Sequence, residues 1–195
     1  YLFFPAKDYN GIFRIGVAVG ENPEGPFTPM DKPIEGSFSI DPAVYKDDNG
    51  EYYMYFGGIW GGQLQRWRNG VFNPNNPTSP TAFLPNDDEP ALLPFVAKMS
   101  DDLLEFAEKP REVQILDEKG NLLLAGDNER RFFEAAWVHK YNGKYYFSYS
   151  TGDTHFICYA IGDNPYGPFT YKGKILNPVV GWTSHHSICE FKGKW

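Results

Sequence analysis

The chain has 195 residues, of which 42% are hydrophobic and 17% aromatic. This is enough to bury a core as one globular domain, and it excludes a disordered chain. The formal net charge of -7 argues against a nucleic-acid partner, which would require a basic surface, and it fits an uncharged substrate. No run of about 18 apolar residues could span a bilayer, so we expect no membrane partner.

Both ends of the sequence lie inside strand-like patterns. Tyr1 begins where a strand should already be under way, and Trp195 follows a turn that leads into a strand. We therefore expect a fragment, in which a missing signal peptide says nothing about export. The compartment stays open between cytoplasmic and secreted, with the cytoplasm preferred. Cys158 and Cys189 both lie in apolar strand patterns and are expected to be inert buried thiols.

Short apolar runs separated by scattered Gly and Pro predict an all-β chain with few, short helices. The segment 18–28, which ends in Gly-Pro-Phe-Thr, recurs as 160–170. A hairpin is also repeated, at 41–56 and at 134–149, the second with an Asn142-Gly143 turn. In both copies an acid, Asp41 or Glu134, lies nine residues before the turn glycine. A third copy begins at His185 and has a shorter turn.

Radial repetition of small antiparallel sheets is typical of a β-propeller. We predict a single propeller domain whose approximate blades are 1–28, 40–115, 132–175 and the start of a fourth at 183–195. The second blade carries an insertion, 57–94, rich in Asn, Pro and Gly, which is expected to form a long loop over one face. Because propellers have four to eight blades, this chain supplies about three blades of a larger ring.

Equivalent positions at the starts of the inner strands of a propeller converge at one end of its channel. Asp41, Glu134 and His185 are therefore expected to meet there. Two neighbouring carboxyls, partly buried, raise the pKa of one of them, so that it can hold a proton for general acid catalysis. This pattern favours a glycosidase. An inverting enzyme would hold its acid and base about 6.5–9.5 Å apart.

The loops after the second hairpin strands should surround this site and bind sugar. Trp60 is the candidate for stacking on a sugar ring, although a Trp that anchors the loop would look the same. Phe133 would line the pocket, and Arg131 would pair with a carboxylate. Other polar side chains could bond sugar hydroxyls or only support the loops; these are Gln63, Thr151 and His155.

Other charged features are assigned no function. The segment 47–50 resembles a calcium loop in its spacing but lacks the distal Glu, so we predict a hairpin turn. His139 is expected to be a packed or surface histidine. No Cys/His cluster has the spacing of a zinc site.

Four motifs together resemble glycoside hydrolase family 43, and the resemblance covers essentially the whole chain. They are Ser39-Ile40-Asp41-Pro42, Phe133-Glu134-Ala135-Ala136, Gly-Pro-Phe-Thr and Ser184-His185-His186-Ser187. The resemblance implies a five-bladed propeller that hydrolyses xylose- or arabinose-containing oligo- and polysaccharides with inversion. It also implies that the protein is a β-xylosidase or α-L-arabinofuranosidase that acts in carbohydrate metabolism, in the degradation of xylan. Such an enzyme needs no cofactor for its chemistry.

By the same resemblance, Glu134 is the general acid, and Asp41 sets the pKa of the acid and orients the substrate. His185 corresponds to a histidine that faces a structural Ca²⁺ or Na⁺ ion in the channel, directly or through water. The general base would lie before Tyr1, so the chain alone is expected to be inactive. Ala135-Ala136 departs from the more frequent Gly-Pro that follows the acid.

Two alternatives stay open. One is a propeller that only binds carbohydrate, and the other is a retaining enzyme similar to the sucrose-cleaving families 32 and 68, with carboxyls about 5 Å apart. The sequence does not decide between xylose and arabinose, between exo and endo attack, or between monomer and oligomer.

Overall fold

The computed structural model describes residues 1–75, 79, 81–181 and 184–195. Twelve strands in this part of the chain form three sheets. The predicted start of the last blade, Thr183, and part of the predicted insertion 57–94 lie outside the described residues. The all-β prediction is confirmed, since the only helical elements described are two short 3-10 helices.

The first sheet has three strands in the order β1-β2-β3. Asp8 closes the turn between β1 and β2, because its carboxylate accepts the backbone N–H groups of Asn10 and Ile12. The pairs β1–β2 and β2–β3 are antiparallel. The strands are β1 (Leu2–Lys7), β2 (Phe13–Val19) and β3 (Thr28–Pro29).

The second sheet is a four-stranded antiparallel meander in the order β4-β5-β6-β7. A long segment, 57–94, separates β5 from β6 and contains the 3-10 helices Trp60–Gly62 and Leu64–Trp67. The strands are β4 (Ala43–Lys46), β5 (Tyr52–Phe56), β6 (Phe95–Lys98) and β7 (Arg111–Glu112).

The third sheet has the order β8-β12-β11-β10-β9, with β8 parallel to β12. The predicted hairpin turn is confirmed between β9 and β10, where Asn142 and Gly143 both have positive φ, as a type I′ turn requires. The strands are β8 (Ile115–Leu116), β9 (Phe132–Tyr141), β10 (Lys144–Thr151), β11 (Ile157–Gly162) and β12 (Phe169–Leu176).

A continuous aromatic core lies between the second and third sheets. Tyr55 and Phe147 are fully buried, and their rings lie 6.0 Å apart. The Tyr55 hydroxyl donates to the Pro165 carbonyl oxygen at 2.6 Å, so its one polar atom is satisfied inside the core. The two sheets therefore form one packed unit, and the ends of β9 and β10 are rigidly placed.

The repeated Gly-Pro-Phe-Thr motif has the same local structure in both copies. Gly25-Pro26 and Gly167-Pro168 are both cis peptides, and both glycines have positive φ. In each copy the following phenylalanine, Phe27 or Phe169, packs closely on a glycine at the end of the preceding strand.

The C-terminal segment does not form the strand that was predicted to begin a fourth blade. Residues 184–195 form no strand, and their only strand-like pairing is an isolated bridge between Phe191 and Lys194. A strand needs a ladder partner, and the described backbone offers none here beyond this turn. Cys158 is buried as predicted, but the prediction for Cys189 is wrong, because Cys189 is exposed on this unpaired segment. Within the described part of the chain, no helix is long and apolar enough to cross a membrane.

Candidate active site

A β-bulge at the start of β9 places Glu134. Ser150 pairs with Glu134 and Ser148 pairs with Trp137, so that two residues, Ala135 and Ala136, lie opposite Tyr149 alone. Ala135 takes the extra turn with a φ of 59°. A bulge bends the strand and redirects its side chains, which here turns Glu134 towards the second sheet.

Asp41 reaches the same point from the second sheet. It lies just before β4 in the left-handed conformation, with a φ of 58°. Its Oδ2 accepts the backbone N–H of Ala135 at 3.1 Å. This bond joins the two predicted acid positions directly, because the residue after Glu134 is the donor.

The structure brings together the three residues for which the repeat predicted a common position. His185 Nε2 lies 3.3 Å from Glu134 Oε1 and 3.9 Å from Asp41 Oδ2. One side-chain donor atom from each residue lies within 4.8 Å of the others. Glu134 is only 7% exposed, whereas the His185 side chain is half exposed. The acid is therefore sheltered, and the imidazole faces solvent.

Mutual charge and burial determine the protonation of this cluster. Burial raises the pKa of Asp41; the charge of His185 lowers it and that of Glu134 raises it, with a net upward shift. The hydrogen bond to Glu134 raises the pKa of His185, against the effect of its own burial. The cluster therefore favours a protonated imidazole beside Glu134 and disfavours a charged Asp41.

Two glycines allow the segment 57–62 to pack against the residue before Asp41. A Cβ on Gly58 or Gly62 would lie 2.6 or 2.7 Å from Ile40 Cγ1, which is closer than real contacts. The Ser39 hydroxyl accepts the Gly58 N–H at 3.0 Å and lies 2.7 Å from the Gly62 carbonyl oxygen. This close packing fixes the backbone that carries Asp41.

An aromatic wall adjoins the cluster. Phe133, next to Glu134, is 2% exposed and lies between two edge-on rings. The Trp60 ring is 5.4 Å from the Phe133 ring, and the His155 ring is 5.1 Å from it on another side. The structure thus brings three of the predicted substrate-binding residues, Trp60, Phe133 and His155, into one group.

Gln63 and Thr151 have side chains committed to the protein. Gln63 accepts the Phe13 N–H at 3.0 Å and donates to the Gly11 carbonyl at 2.9 Å. Thr151 is fully buried, and its hydroxyl accepts the Phe156 N–H at 3.1 Å. Both residues shape the loops of the site and do not join the three-residue cluster.

Three features were missed by the sequence reasoning. The Ala135 amide has no sequence signal, because its donor role comes from the bulge. Asn128, which accepts a hydrogen bond from Arg131 at 2.7 Å, could have been suspected from the run of polar residues before β9. Asp47 was assigned only to a turn, yet it is buried and joins two sheets.

The cluster does not form a calcium cage by itself. Calcium takes six to eight oxygen ligands, whereas these three residues offer one nitrogen and two carboxylates. Asp41 Oδ2 already accepts the Ala135 N–H. The donor set therefore does not match direct calcium coordination.

Comparison with known proteins identifies relatives of the chain. The family model for glycosyl hydrolases family 43 matches residues 1–79. Over its whole length the chain is 65% identical to a xylosidase/arabinosidase of Bacteroides ovatus and 62% identical to xylosidase/arabinosidase 43A of Humicola insolens. It spans 58% and 60% of the lengths of these two relatives.

Solved structures of family 43 enzymes are also similar to the chain. A family 43 β-xylosidase/α-arabinofuranosidase from a compost microbial metagenome, in complex with xylotriose and free of calcium, is 66% identical with a TM-score of 0.94. The match covers 99% of this chain and 58% of that one. A family 43 enzyme from Xanthomonas citri complexed with xylose is 57% identical, with a TM-score of 0.91 over 97% of this chain and 55% of the other. Residues 1–79 thus match the family 43 model, and nearly the whole chain is similar to solved members of that family.

Proposed function

We propose that the protein hydrolyses xylose- or arabinose-containing oligo- and polysaccharides, as a β-xylosidase or α-L-arabinofuranosidase. The observation that carries this proposal is the buried Glu134 carboxyl, which lies 3.3 Å from His185 and in one cluster with Asp41. The relatives named as xylosidases or arabinosidases support the choice of sugar.

Glu134 acts as the general acid that gives a proton to the glycosidic oxygen. Asp41, whose Oδ2 accepts the backbone N–H of the residue after the acid, orients the sugar and modulates the acid. Trp60 and His155, which pack edge-on against the buried Phe133, form the wall against which the sugar packs. Gln63 and Thr151 act indirectly, by fixing the loops through their bonds to the protein.

The three sheets are arranged as successive blades of a five-bladed propeller. The approximate blades are 1–28, 40–115 and 132–175, with 183–195 leading into a fourth, and 57–94 is a loop over the face that carries the site. The meander order β4-β5-β6-β7 and the matching meander β9 to β12 support this assignment.

The hydrolysis proceeds with inversion and needs no cofactor for its chemistry. Asp41 is too close to Glu134 to be the inverting base, because acid and base must leave room for a water, at about 6.5–9.5 Å. We assign the base to none of the described residues. A Ca²⁺ or Na⁺ ion in the channel would meet His185 through water, since the cluster does not match direct coordination.

A retaining reaction is the second candidate, and the short distance between Asp41 and Glu134 favours it. In that case Asp41 would be the nucleophile, since retaining carboxyls lie about 5 Å apart. Proton NMR of the first product formed from p-nitrophenyl β-xyloside decides between the two. The α-anomer supports inversion, and the β-anomer assigns Asp41 as the nucleophile.

The general acid is tested with Glu134→Gln in the complete natural protein. Protonation of the leaving group affects the rate little when p-nitrophenol leaves, because its anion is stable, and greatly when a sugar alcohol leaves. We therefore expect kcat on xylobiose to fall about 10²–10⁴-fold, with a much smaller loss on p-nitrophenyl β-xyloside. Glu190→Gln, at an exposed position, is the control and should leave both rates unchanged.

Circular dichroism shows whether the Glu134→Gln protein is folded. Equal losses on both substrates in a folded variant would contradict the acid assignment. A wild-type protein that binds xylotriose but cleaves no xyloside or arabinofuranoside would instead support a carbohydrate-binding propeller.

A further inference from the structure

A hydrogen bond outside the cluster of Asp41, Glu134 and His185 holds the segment that carries His185. Ser148 Oγ lies 2.6 Å from Nε2 of His186, the residue after His185. Ser148 lies on β10 and is fully buried, whereas His186 is half-buried. The imidazole of His186 thus reaches from the C-terminal segment into the third sheet.

The segment 184–190 takes no support from the backbone of the third sheet. It forms no strand, and among the described residues its backbone makes no hydrogen bond to the backbone of that sheet. Within this part of the chain, three hydrogen bonds of side chains attach it there: His185 to Glu134, His186 to Ser148, and Trp137 Nε1 to the Ile188 carbonyl oxygen at 2.9 Å. The position of the segment therefore depends on these bonds.

Two of the three bonds start from one cross-strand pair. Ser148 and Trp137 lie directly opposite each other on β10 and β9, so their side chains share one face of the sheet. The next pair in the register, on the other side of the bulge, is Ser150 with Glu134. The anchor of the segment and the predicted general acid are thus neighbouring pairs of the same packed sheet.

His185 needs this anchor because little else fixes it. Its side chain is half exposed, and its Nε2 lies 3.3 Å from Glu134 Oε1. Holding an exposed side chain on an unpaired segment costs conformational entropy. The bond of His186 fixes the adjacent backbone and lowers this cost. Such placement matters for a reaction, because a displacement of about 1 Å can lower the rate about 10²-fold.

We propose that Ser148 and His186 are positioning residues for the hydrolysis, which hold His185 at hydrogen-bond distance from the Glu134 carboxyl. The proposal rests on the proposed function, because it takes Glu134 to be the general acid. In this role neither residue touches the sugar. Both act through His185, whose bond orients the acid. Loss of the Ser148–His186 bond therefore lowers kcat and leaves KM nearly unchanged.

The kinetic test uses the complete natural protein. Ser148→Ala removes one partner of the bond, and we expect kcat on xylobiose to fall about 10-fold while KM stays within about 2-fold. Ser150→Ala is the matched control and should leave kcat unchanged. Ser150 is also on β10 and fully buried, but its hydroxyl has no hydrogen-bond partner among the described residues.

Variants of His186 show whether the bond itself is responsible. His186→Leu should lower kcat as Ser148→Ala does, and His186→Gln, whose amide reaches the place of Nε2, should restore most of the activity. The double variant Ser148→Ala with His186→Leu should lose no more than either single variant, because both break the same bond. Losses that multiply in the double variant would contradict the proposal. If circular dichroism shows that Ser148→Ala is unfolded, His186→Leu against His186→Gln makes the same comparison on the unpaired segment.

A crystal structure of the variant separates this proposal from the proposed function. In a folded Ser148→Ala or His186→Leu protein, His185 Nε2 should lie farther from Glu134 Oε1 than about 3.5 Å, beyond hydrogen-bond distance. An unmoved His185, or a folded variant with the kcat of the wild type, would overturn the positioning proposal. A displaced His185 in a protein whose wild type hydrolyses no xyloside or arabinofuranoside would overturn only the proposed function.

Discussion

Asp41 is held where its charged form is disfavoured. Burial and the nearby Glu134 raise its pKa above the usual 3.8, and the attraction of His185 does not cancel this effect. The folded protein therefore binds the Asp41 proton more tightly than the unfolded chain does. Ionising Asp41 costs stability, and this loss develops as the pH rises from about 3.8 through the folded-state pKa.

Asp41→Asn should therefore stabilise the protein while it damages catalysis. Asparagine can still accept the Ala135 N–H but carries no charge. At pH 7 we expect a higher Tm than that of the wild type, with the difference vanishing near pH 3, where Asp41 is protonated in both states. We also expect kcat to fall roughly 10²-fold. A Tm difference that grows towards low pH would contradict the prediction, and thermal melts at several pH values measure it.

At the scale of a single strand, the bulge in β9 matters most. Ala135 occupies a left-handed conformation that costs a non-glycine residue about 1–2 kcal/mol. It is tolerated because the Ala135 amide bonds to Asp41 and the neighbouring strand β10 fixes the register on both sides. The frequent glycine at this position in the resembled motif has a physical reason here, since glycine adopts a positive φ without strain.

A pair of glycine substitutions tests this account. Ala135→Gly relieves the strain and offsets the added chain entropy, so its stability should stay within about 1 kcal/mol of the wild type. Ala136→Gly, at the other bulge residue, adds the same entropy cost without a positive φ to relieve and should lose about 0.5–1 kcal/mol. Urea unfolding measures both. Ala136→Gly as the more stable of the two would contradict the assigned bulge geometry.

The hairpin also shows how far the sequence could predict the structure. The aromatic and β-branched residues on either side of Asn142-Gly143 were enough to predict β9, β10 and the type I′ turn between them, because those signals are local. The repeat placed Glu134, Asp41 and His185 together, because repeated units superpose. The bulge was not predictable from Ala135-Ala136, and the strand expected near Cys189 did not form, because strand formation depends on a partner distant in sequence.

At the scale of the whole molecule, a buried carboxylate joins the second and third sheets. Asp47 follows β4 and is 7% exposed. Its carboxylate accepts the Tyr145 hydroxyl at 2.6 Å and the Lys140 ammonium at 3.0 Å, both from the third sheet. Burial raises the pKa of Asp47, but the bonds from Tyr145 and Lys140 outweigh it and leave the pKa lowered. Sequence reasoning saw only a turn here, because burial of a turn residue depends on the neighbouring sheet.

Removing this carboxylate should loosen the two sheets whose ends carry Asp41 and Glu134. Asp47→Ala leaves the Tyr145 hydroxyl without its buried acceptor and Lys140 with only the exposed Asp48, so we expect a loss of about 1–3 kcal/mol in the free energy of unfolding. Asp48→Ala is the matched control, because Asp48 also pairs with Lys140, at 2.8 Å, but its side chain is 81% exposed, and the loss should be at most about 1 kcal/mol. The lowered pKa of Asp47 means that its contribution is complete above pH 3.8 and disappears as the pH falls through its folded-state value. The gap between the two variants in urea unfolding should therefore narrow in acid, and a gap that persists unchanged at low pH would show that Asp47 stabilises the sheets by packing alone.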